Sequence, residues 1–249
     1  KSVRTNDRAL TRSVTIDKVT GAVISTSDWT GGANYDAVTT PKIPGYTADL
    51  ESAGKASITP ADYNDAVNGV ITRKFKVVYT PEKQELQLKV YDQDLDKYLG
   101  GTDSFYGLTD QEVGEDPQTR LDELKKQFAE RGFDIVEVPE LAKNYDNTEN
   151  GAGDQDNKPQ VFVLVVKHHI ETVTPDDPKT PDDKIPNTNQ NYPGGLTETD
   201  LSKTITRTII VHMPDGSTKE IKQEVVYTRT ATVDSVTKEV TYTDWTSKN

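Results

Sequence analysis

The sequence predicts a mainly β protein with one α+β segment. Three observations carry that prediction. Thr is abundant, 33 among 249 residues, and it alternates with apolar residues over long stretches. A β-branched polar side chain favours a strand while leaving one face wettable. A stretch near the N-terminus recurs near the C-terminus. Helical periodicity shows clearly in one place, after Asp116, with strand-like runs on both sides.

The recurrence sets the organisation. Leu10 to Val23 reads Leu-Thr-Arg-Ser-Val-Thr-Ile-Asp-Lys-Val-Thr-Gly-Ala-Val. Tyr227 to Val240 reads Tyr-Thr-Arg-Thr-Ala-Thr-Val-Asp-Ser-Val-Thr-Lys-Glu-Val. Arg229 lies 217 positions after Arg12, and Asp234 lies 217 after Asp17. The two Trp of the chain, Trp29 and Trp245, are 216 apart, so the first copy holds one extra residue. Such a period far exceeds the ~20–50 residues of a solenoid unit. It is a multi-domain period, and the chain spans one period plus an overlap. A tandem array is expected in the parent protein.

Composition excludes several function classes. Net charge is −12 and the pI is near 4.8, so the chain has no general attraction for nucleic acid or anionic lipid. Without Cys it offers no disulfide, thiolate nucleophile or Cys-based metal site. Hydrophobic residues reach only 33 %, which argues against one large core. No run approaches the ~20 apolar residues of a membrane span. Residues 1–30 contain no apolar core of a signal peptide. The chain is therefore cytosolic or a piece of something longer, and the repeat favours the second.

Four segments follow in order. Residues 1–80 read as the rear part of a β module. It has loops around Gly31-Gly32, Pro41 and Pro44-Gly45, and a closing strand over 71–80, where Ile71, Phe75, Val77 and Tyr79 alternate with Lys74 and Lys76. Residues 81–170 read β-β-α-β-β. Strands are expected at Leu86–Tyr91, from Tyr98, at Phe133–Val138 and at Val161–Val166, the last fully apolar and so central in a sheet. Asp116-Pro117 is a helix start, Leu121, Leu124 and Phe128 share one face, and Gly132 is a natural stop. Residues 171–196 hold five Pro with Asp pairs between them, which predicts an extended linker without a core. Residues 197–249 read as the front part of the next β module, with a hairpin turning at Asp215-Gly216 and a second turn at Asp234–Lys238. Incomplete modules at both ends predict open strand edges that need covering by another segment or another chain.

Candidate sites are few. Asp92, Asp94 and Asp96 alternate, and Asp146, Glu149, Asp154 and Asp156 crowd one Gly-rich loop. Either cluster could offer hard oxygens to Ca²⁺, yet neither has the register of an EF-hand, and a solvated acidic turn is the favoured reading. No other cofactor is called for. His168 and His169 adjoin on a strand and so point to opposite faces, which disfavours a shared metal. Trp29 and Trp245 suit sugar stacking or anchoring of a small β core, with anchoring favoured. Tyr98, Phe105 and Tyr106 suit sugar stacking or packing beneath the helix, evenly. Ser104, His168 and Asp103 make a triad on paper, without a nucleophile-elbow motif to support it.

Several stretches together resemble the mucus-binding (Mub) repeats, with a MucBP-type domain, of the cell-surface adhesins of lactobacilli. They are Lys203-Thr-Ile-Thr-Arg-Thr-Ile209, Tyr227-Thr-Arg-Thr-Ala-Thr-Val-Asp234 with Asp244-Trp245, and Pro44-Gly45-Tyr46. Arg131-Gly-Phe-Asp-Ile-Val136, Tyr145-Asp-Asn147 with Val161–His168, and the Pro/Asp-rich 174–181 add to them. The resemblance implies an elongated arrangement, a ubiquitin-like β-grasp domain at 81–170 between β-rich Mub modules. It implies no catalytic residues. It implies an extracellular repeat on a Gram-positive cell wall, binding mucin glycoproteins and, in some relatives, immunoglobulins. Adjacent repeats of the same parent chain would be further partners. The expected function is adhesion through many weak contacts, with avidity supplied by repetition. The alternative is a structural stalk that projects a distal binding domain.

Overall fold

The computed structural model describes residues 9–147 and 159–248. They divide into two compact units. The first takes 1–83 with 108–110 and 146–157, and the second takes 84–107, 111–145 and 158–249.

The first unit consists of short strands paired two by two. β1 (Leu10–Thr11) pairs with β4 (Thr30–Gly31) around the hairpin of β2 (Val14–Ile16) and β3 (Val23–Thr26). β5 (Ala33–Tyr35) pairs with β9 (Ala56–Ile58), and β6 (Val38–Thr39) with β8 (Ser52–Ala53). β7 (Tyr46–Ala48) pairs with β10 (Tyr79–Pro81). Among the described residues no large apolar side chain of this unit is buried. Polar contacts hold it instead. The Thr109 hydroxyl donates to the Gly45 carbonyl at 2.7 Å, and Gly45 is at φ +74 with no room for a Cβ beside that hydroxyl. The closing strand expected over 71–80 is reduced to its last residues, because 71–78 meet no partner strand among the described residues.

The second unit begins with a four-stranded sheet. β11 (Lys83–Asp92), β12 (Lys97–Leu108), β13 (Phe133–Glu137) and β14 (Gln160–His168) lie in the order β12-β11-β14-β13. β11 and β14 run parallel in the centre, where the apolar 161–166 run was expected. α1 (Asp116–Glu130) covers one face. Pro117, Leu121, Leu124 and Phe128 form its buried stripe, and Gly132 takes φ +96 just past its end. They meet Leu86, Leu88 and Val90 from β11 and Leu164 and Val166 from β14. Gly107 of β12 must be glycine, since a Cβ there would fall 2.2 Å from the Tyr145 ring in this core.

The unit continues through β15 (Ile170–Val173), a one-turn helix α2 (Glu198–Leu201), and the long hairpin of β16 (Ser202–His212) and β17 (Thr218–Thr228). β18 (Ala231–Asp234), β19 (Val240–Tyr242) and β20 (Thr246–Lys248) complete it. Two sheets result, β15-β18-β19 and β16-β17-β20. Between β17 and β18, at Arg229-Thr230, the chain leaves one sheet for the other.

The expected linker corrects most. Residues 171–196 supply β15 and much of a second core. Ile185 and Leu196 are fully buried and Tyr192 nearly so, packed with Val173, Leu201, Ala231 and Val233. The Pro and Asp residues shape turns rather than an extended rod. Asp183 accepts from the Thr180 amide and hydroxyl at 2.8 and 2.9 Å, and the Tyr242 hydroxyl donates to the Gly195 carbonyl at 2.7 Å.

The two copies of the repeat fold alike. The Asp17 carboxylate accepts from the amides of Val19 and Thr20, and Asp234 accepts from those of Val236 and Thr237. The residue at positive φ is Gly21 in one copy (+70) and Lys238 in the other (+65). A side chain in that conformation costs about 1–2 kcal/mol, part of which glycine returns as extra entropy in the unfolded chain. Lys238→Gly is therefore expected to stabilise by under about 1 kcal/mol, read as a small rise in the urea midpoint. A fall would mean that the 3.0 Å bond from Lys238 Nζ to the Asn191 carbonyl outweighs the strain.

Candidate functional site

The face of the four-stranded sheet away from α1 is open. Alternation along β11 turns Leu86, Leu88 and Val90 to the helix, which leaves Lys89 and Tyr91 on the open side. On β12, Leu99 and Phe105 pack on the helix side, and Asp103 there meets Arg120 of α1 at 3.0 Å. Tyr98 and Tyr106 point the other way and are 58 % and 71 % exposed. Tyr91 and Tyr98 meet edge-to-face at 5.4 Å, and Lys89 Nζ lies 5.8 Å from the Tyr98 ring centre. Val161, at 44 % exposure, adds an apolar patch from β14. Eight residues separate Tyr98 from Tyr106, roughly 25 Å along a strand. The surface is shallow, with aromatic platforms at its ends. Of the three aromatics nominated from sequence, Tyr98 and Tyr106 share this face, while Phe105 belongs to the core side. Tyr91 was missed, although its place in the alternating strand, directly before Asp92, was visible.

The two Trp behave as a pair of anchors. The Arg12 guanidinium lies 4.8 Å from the Trp29 ring centre, and the equivalent Arg229 lies 4.6 Å from that of Trp245. Lys203 Nζ sits 4.1 Å over Trp245, and Arg229 also covers Tyr242 at 3.7 Å. Both indoles are half-buried. Protein cations thus lie over ring faces that a sugar would need.

The acidic turn after β11 is built into a buried ion cluster. Asp92, fully buried, accepts from the amides of Asp94 and Leu95 with one oxygen, and its other oxygen meets His168 Nε2 at 3.2 Å. Asp94 accepts from the His168 amide at 2.6 Å, and Asp96 accepts from the Tyr91 hydroxyl. His168 Nδ1 meets Asp234 at 2.6 Å. An imidazole that donates from both nitrogens is an imidazolium. Burial opposes that charge, but the Asp234 hydrogen bond and the charges of Asp234 and Asp92 outweigh it and hold the His168 pKa above the ordinary 6.5. Burial likewise works against the Asp234 carboxylate, yet the amides of Thr237 and Val236 and the His168 ring keep its pKa below 3.8. His169 sits on the other strand face between Asp134 at 2.9 Å and Glu171 at 3.1 Å.

This cluster ties the helix-covered sheet to the segment after it. Asp92 and His168 close the first, Asp234 opens a turn in the second, and Val236 from that turn packs on the first core. Asp92, Asp94 and His168 could present three ligand atoms to a metal within 4.8 Å of one another. A metal would compete there with the proton on His168 Nε2. Asp146 is half-buried, and Glu149, Asp154 and Asp156 lie outside the described residues. Ser104, His168 and Asp103 do not assemble, since His168 is held by Asp92 and Asp234 and Asp103 by Arg120. A cleft of about 440 Å³ at the start of α1 is lined by Glu112, Glu115, Gln118, Leu141 and Lys143, with no His or hydroxyl nucleophile in its lining. Among the described residues no helix is long and apolar enough to cross a membrane.

Similarity to known proteins was found in two comparisons. The chain is similar to the type 2 repeat of the mucus binding protein MUB from Lactobacillus reuteri, at 21 % identity over 65 % of this chain and 74 % of that one, with a TM-score of 0.37. It is also similar to Mub-RV, at 20 % identity over 66 % and 72 % of the two chains, with a TM-score of 0.43. No curated protein matches it in sequence. The family model of the Muc B2-like domain matches residues 2–75 and 196–249, just over half of the chain and both copies of the repeat. On that match, the chain belongs to the Muc B2-like domain family.

Proposed function

We propose that the chain is a repeat unit of a bacterial cell-surface adhesin that binds mucin-type glycoproteins through many weak, shallow contacts. Membership of a family of mucus-binding adhesin repeats carries this reading. The open Tyr98/Tyr106 face supports it, because exposed aromatic rings on a shallow polar surface suit stacking on sugar rings. We read residues 84–168 as a β-grasp domain, on the parallel central pair, the antiparallel outer strands and the single crossing helix. An acidic, Cys-free, Thr-rich surface suits an extracellular wall-attached array, where repetition raises effective concentration.

Binding to immobilised mucin tests the surface. Two aromatic anchors at about 1 kcal/mol each amount to more than about tenfold in affinity. The Tyr98→Ala/Tyr106→Ala variant is therefore expected to dissociate at least tenfold more readily than the parent chain, with its thermal unfolding unchanged. Equal binding by parent and variant would remove this face from the account. Immunoglobulin, assayed in parallel, is the second ligand class of interest.

A further inference from the structure

The open face of the helix-covered sheet holds more than two exposed rings. On β12, Leu99, Asp103, Phe105 and Gly107 turn toward α1 and the core, so alternation sends Tyr98, Gly100, Thr102, Ser104 and Tyr106 the other way. They form a lane with an aromatic ring at each end and two hydroxyls between. Gly100, at φ +72, has nothing within 4 Å of the place a Cβ would take, so the floor beside Tyr98 is bare. Among the described residues β12 is an edge strand of its sheet. An edge presents a row of backbone donors and acceptors alongside such a lane.

Tyr98 is positioned before any ligand arrives. Its ring meets Tyr91 edge-to-face at 5.4 Å, and the Tyr91 hydroxyl donates to Asp96 in the turn between β11 and β12. A platform fixed in advance loses less freedom on binding. The charges of this face are matched. Lys83, Lys89 and Lys167 stand against Glu85, Asp134 and Glu137, and Lys167 is registered opposite Asp134. A balanced face offers no net attraction to an anion and suits an uncharged ligand.

We propose that this face binds an internal stretch of an unbranched, uncharged, β-linked oligosaccharide laid along β12. One sugar ring stacks on Tyr98 and another on Tyr106, and the hydroxyls of the rings between them bond to Thr102 and Ser104. The inference rests on the mucin reading above and narrows it. The platforms lie roughly 25 Å apart along the strand. A terminal sugar cannot reach both, whereas a chain of several linked pyranoses does. Equatorial β-linkages keep such a chain extended, and its C–H faces suit stacking on aromatic rings. A flat chain matches a flat sheet, while a branched cluster would touch one platform at a time.

Chemical-shift titration of the full chain with neutral N-acetyllactosamine oligomers, from the disaccharide to the octasaccharide, tests it. Affinity is expected to change little up to the tetrasaccharide and to step up by about fivefold or more by the octasaccharide, the effect of a second anchor worth about 1 kcal/mol. Tyr98→Ala and Tyr106→Ala are each expected to remove the step, so that each variant binds long and short chains alike. Both rings are exposed, so folding is spared, and thermal unfolding of each variant checks this. A step that either variant retains overturns the proposal, as does a smooth rise with the number of rings. A sialylated trisaccharide that binds more tightly than the neutral octasaccharide also overturns it. Immobilised mucin that holds the parent chain while no oligomer binds overturns this inference and leaves the mucin reading standing. Mucin that does not hold the parent chain removes both.

Discussion

Replacing His168 by Ala is expected to cost about 3–5 kcal/mol of unfolding free energy, the range for breaking a buried ion pair from one side. The cost arises because Asp92 stays fully buried after its partner is gone. Asp234 loses a partner too, and each carboxylate keeps two backbone amides on its other oxygen, but Asp234 is 19 % exposed, so water can solvate its freed oxygen. The effect has a pH signature. The folded-state pKa of His168 is raised, so its contribution is fully present below the unfolded value of 6.5 and is lost as pH rises through the folded value. The folded-state pKa of Asp234 is lowered, so its contribution is present above 3.8 and is lost as pH falls through its folded value. The stability gap between parent and His168→Gln should therefore be widest between about pH 4 and 6.5 and should narrow toward alkaline pH. Thermal unfolding across that range measures it. A gap that widened above neutral pH would mean that the ring is neutral in the fold.

Ile185→Ala separates a folded segment from a linker. A fully buried Ile truncated to Ala loses about 2–5 kcal/mol, whereas a surface change in a solvated linker stays within about 0.5 kcal/mol. Ile185 is fully buried among Tyr192, Leu196, Leu201 and Val233. Urea unfolding of the full chain is expected to show the large loss. A midpoint unchanged by the substitution would return 171–196 to a linker.

What the sequence displayed depended on whether a signal was local. The α1 stripe, its Gly132 stop and the central apolar strand were visible because each needs only its own periodicity. The repeat was visible as two matching sequences, and the fold gives them matching turns, each capped by its Asp, with Gly21 and Lys238 at positive φ. The Pro/Asp segment misled because composition there reports the many solvated residues. Ile185, Tyr192 and Leu196 are the large apolar side chains between Thr174 and Leu196, and all three go into the core. Their spacing was the available signal. The His168 cluster was hidden for a different reason. Asp92, His168 and Asp234 are separated by 76 and 66 positions, and three-residue convergence over such distances follows from topology. The acidic alternation at 92–96 read as a solvated turn, with a cation site as the alternative, whereas in the fold Asp92 is fully buried and the three carboxylates hold a histidine and a tyrosine hydroxyl. The candidate recognition face was half visible. Tyr98 and Tyr106 were named, but their common side of the sheet follows from Leu99 and Phe105 turning toward α1.

Valency tests the functional account most directly. The chain as a monomer and the same chain tethered in tandem copies would be presented to surface-bound mucin, with dissociation rates measured for both. Weak single sites joined by repetition predict fast release of the monomer and release slowed by about 10²-fold or more for the tethered form, with the Tyr98→Ala/Tyr106→Ala change abolishing the gain. Absence of binding by the tethered form, at any copy number, would contradict mucin recognition and leave the repeats as a stalk.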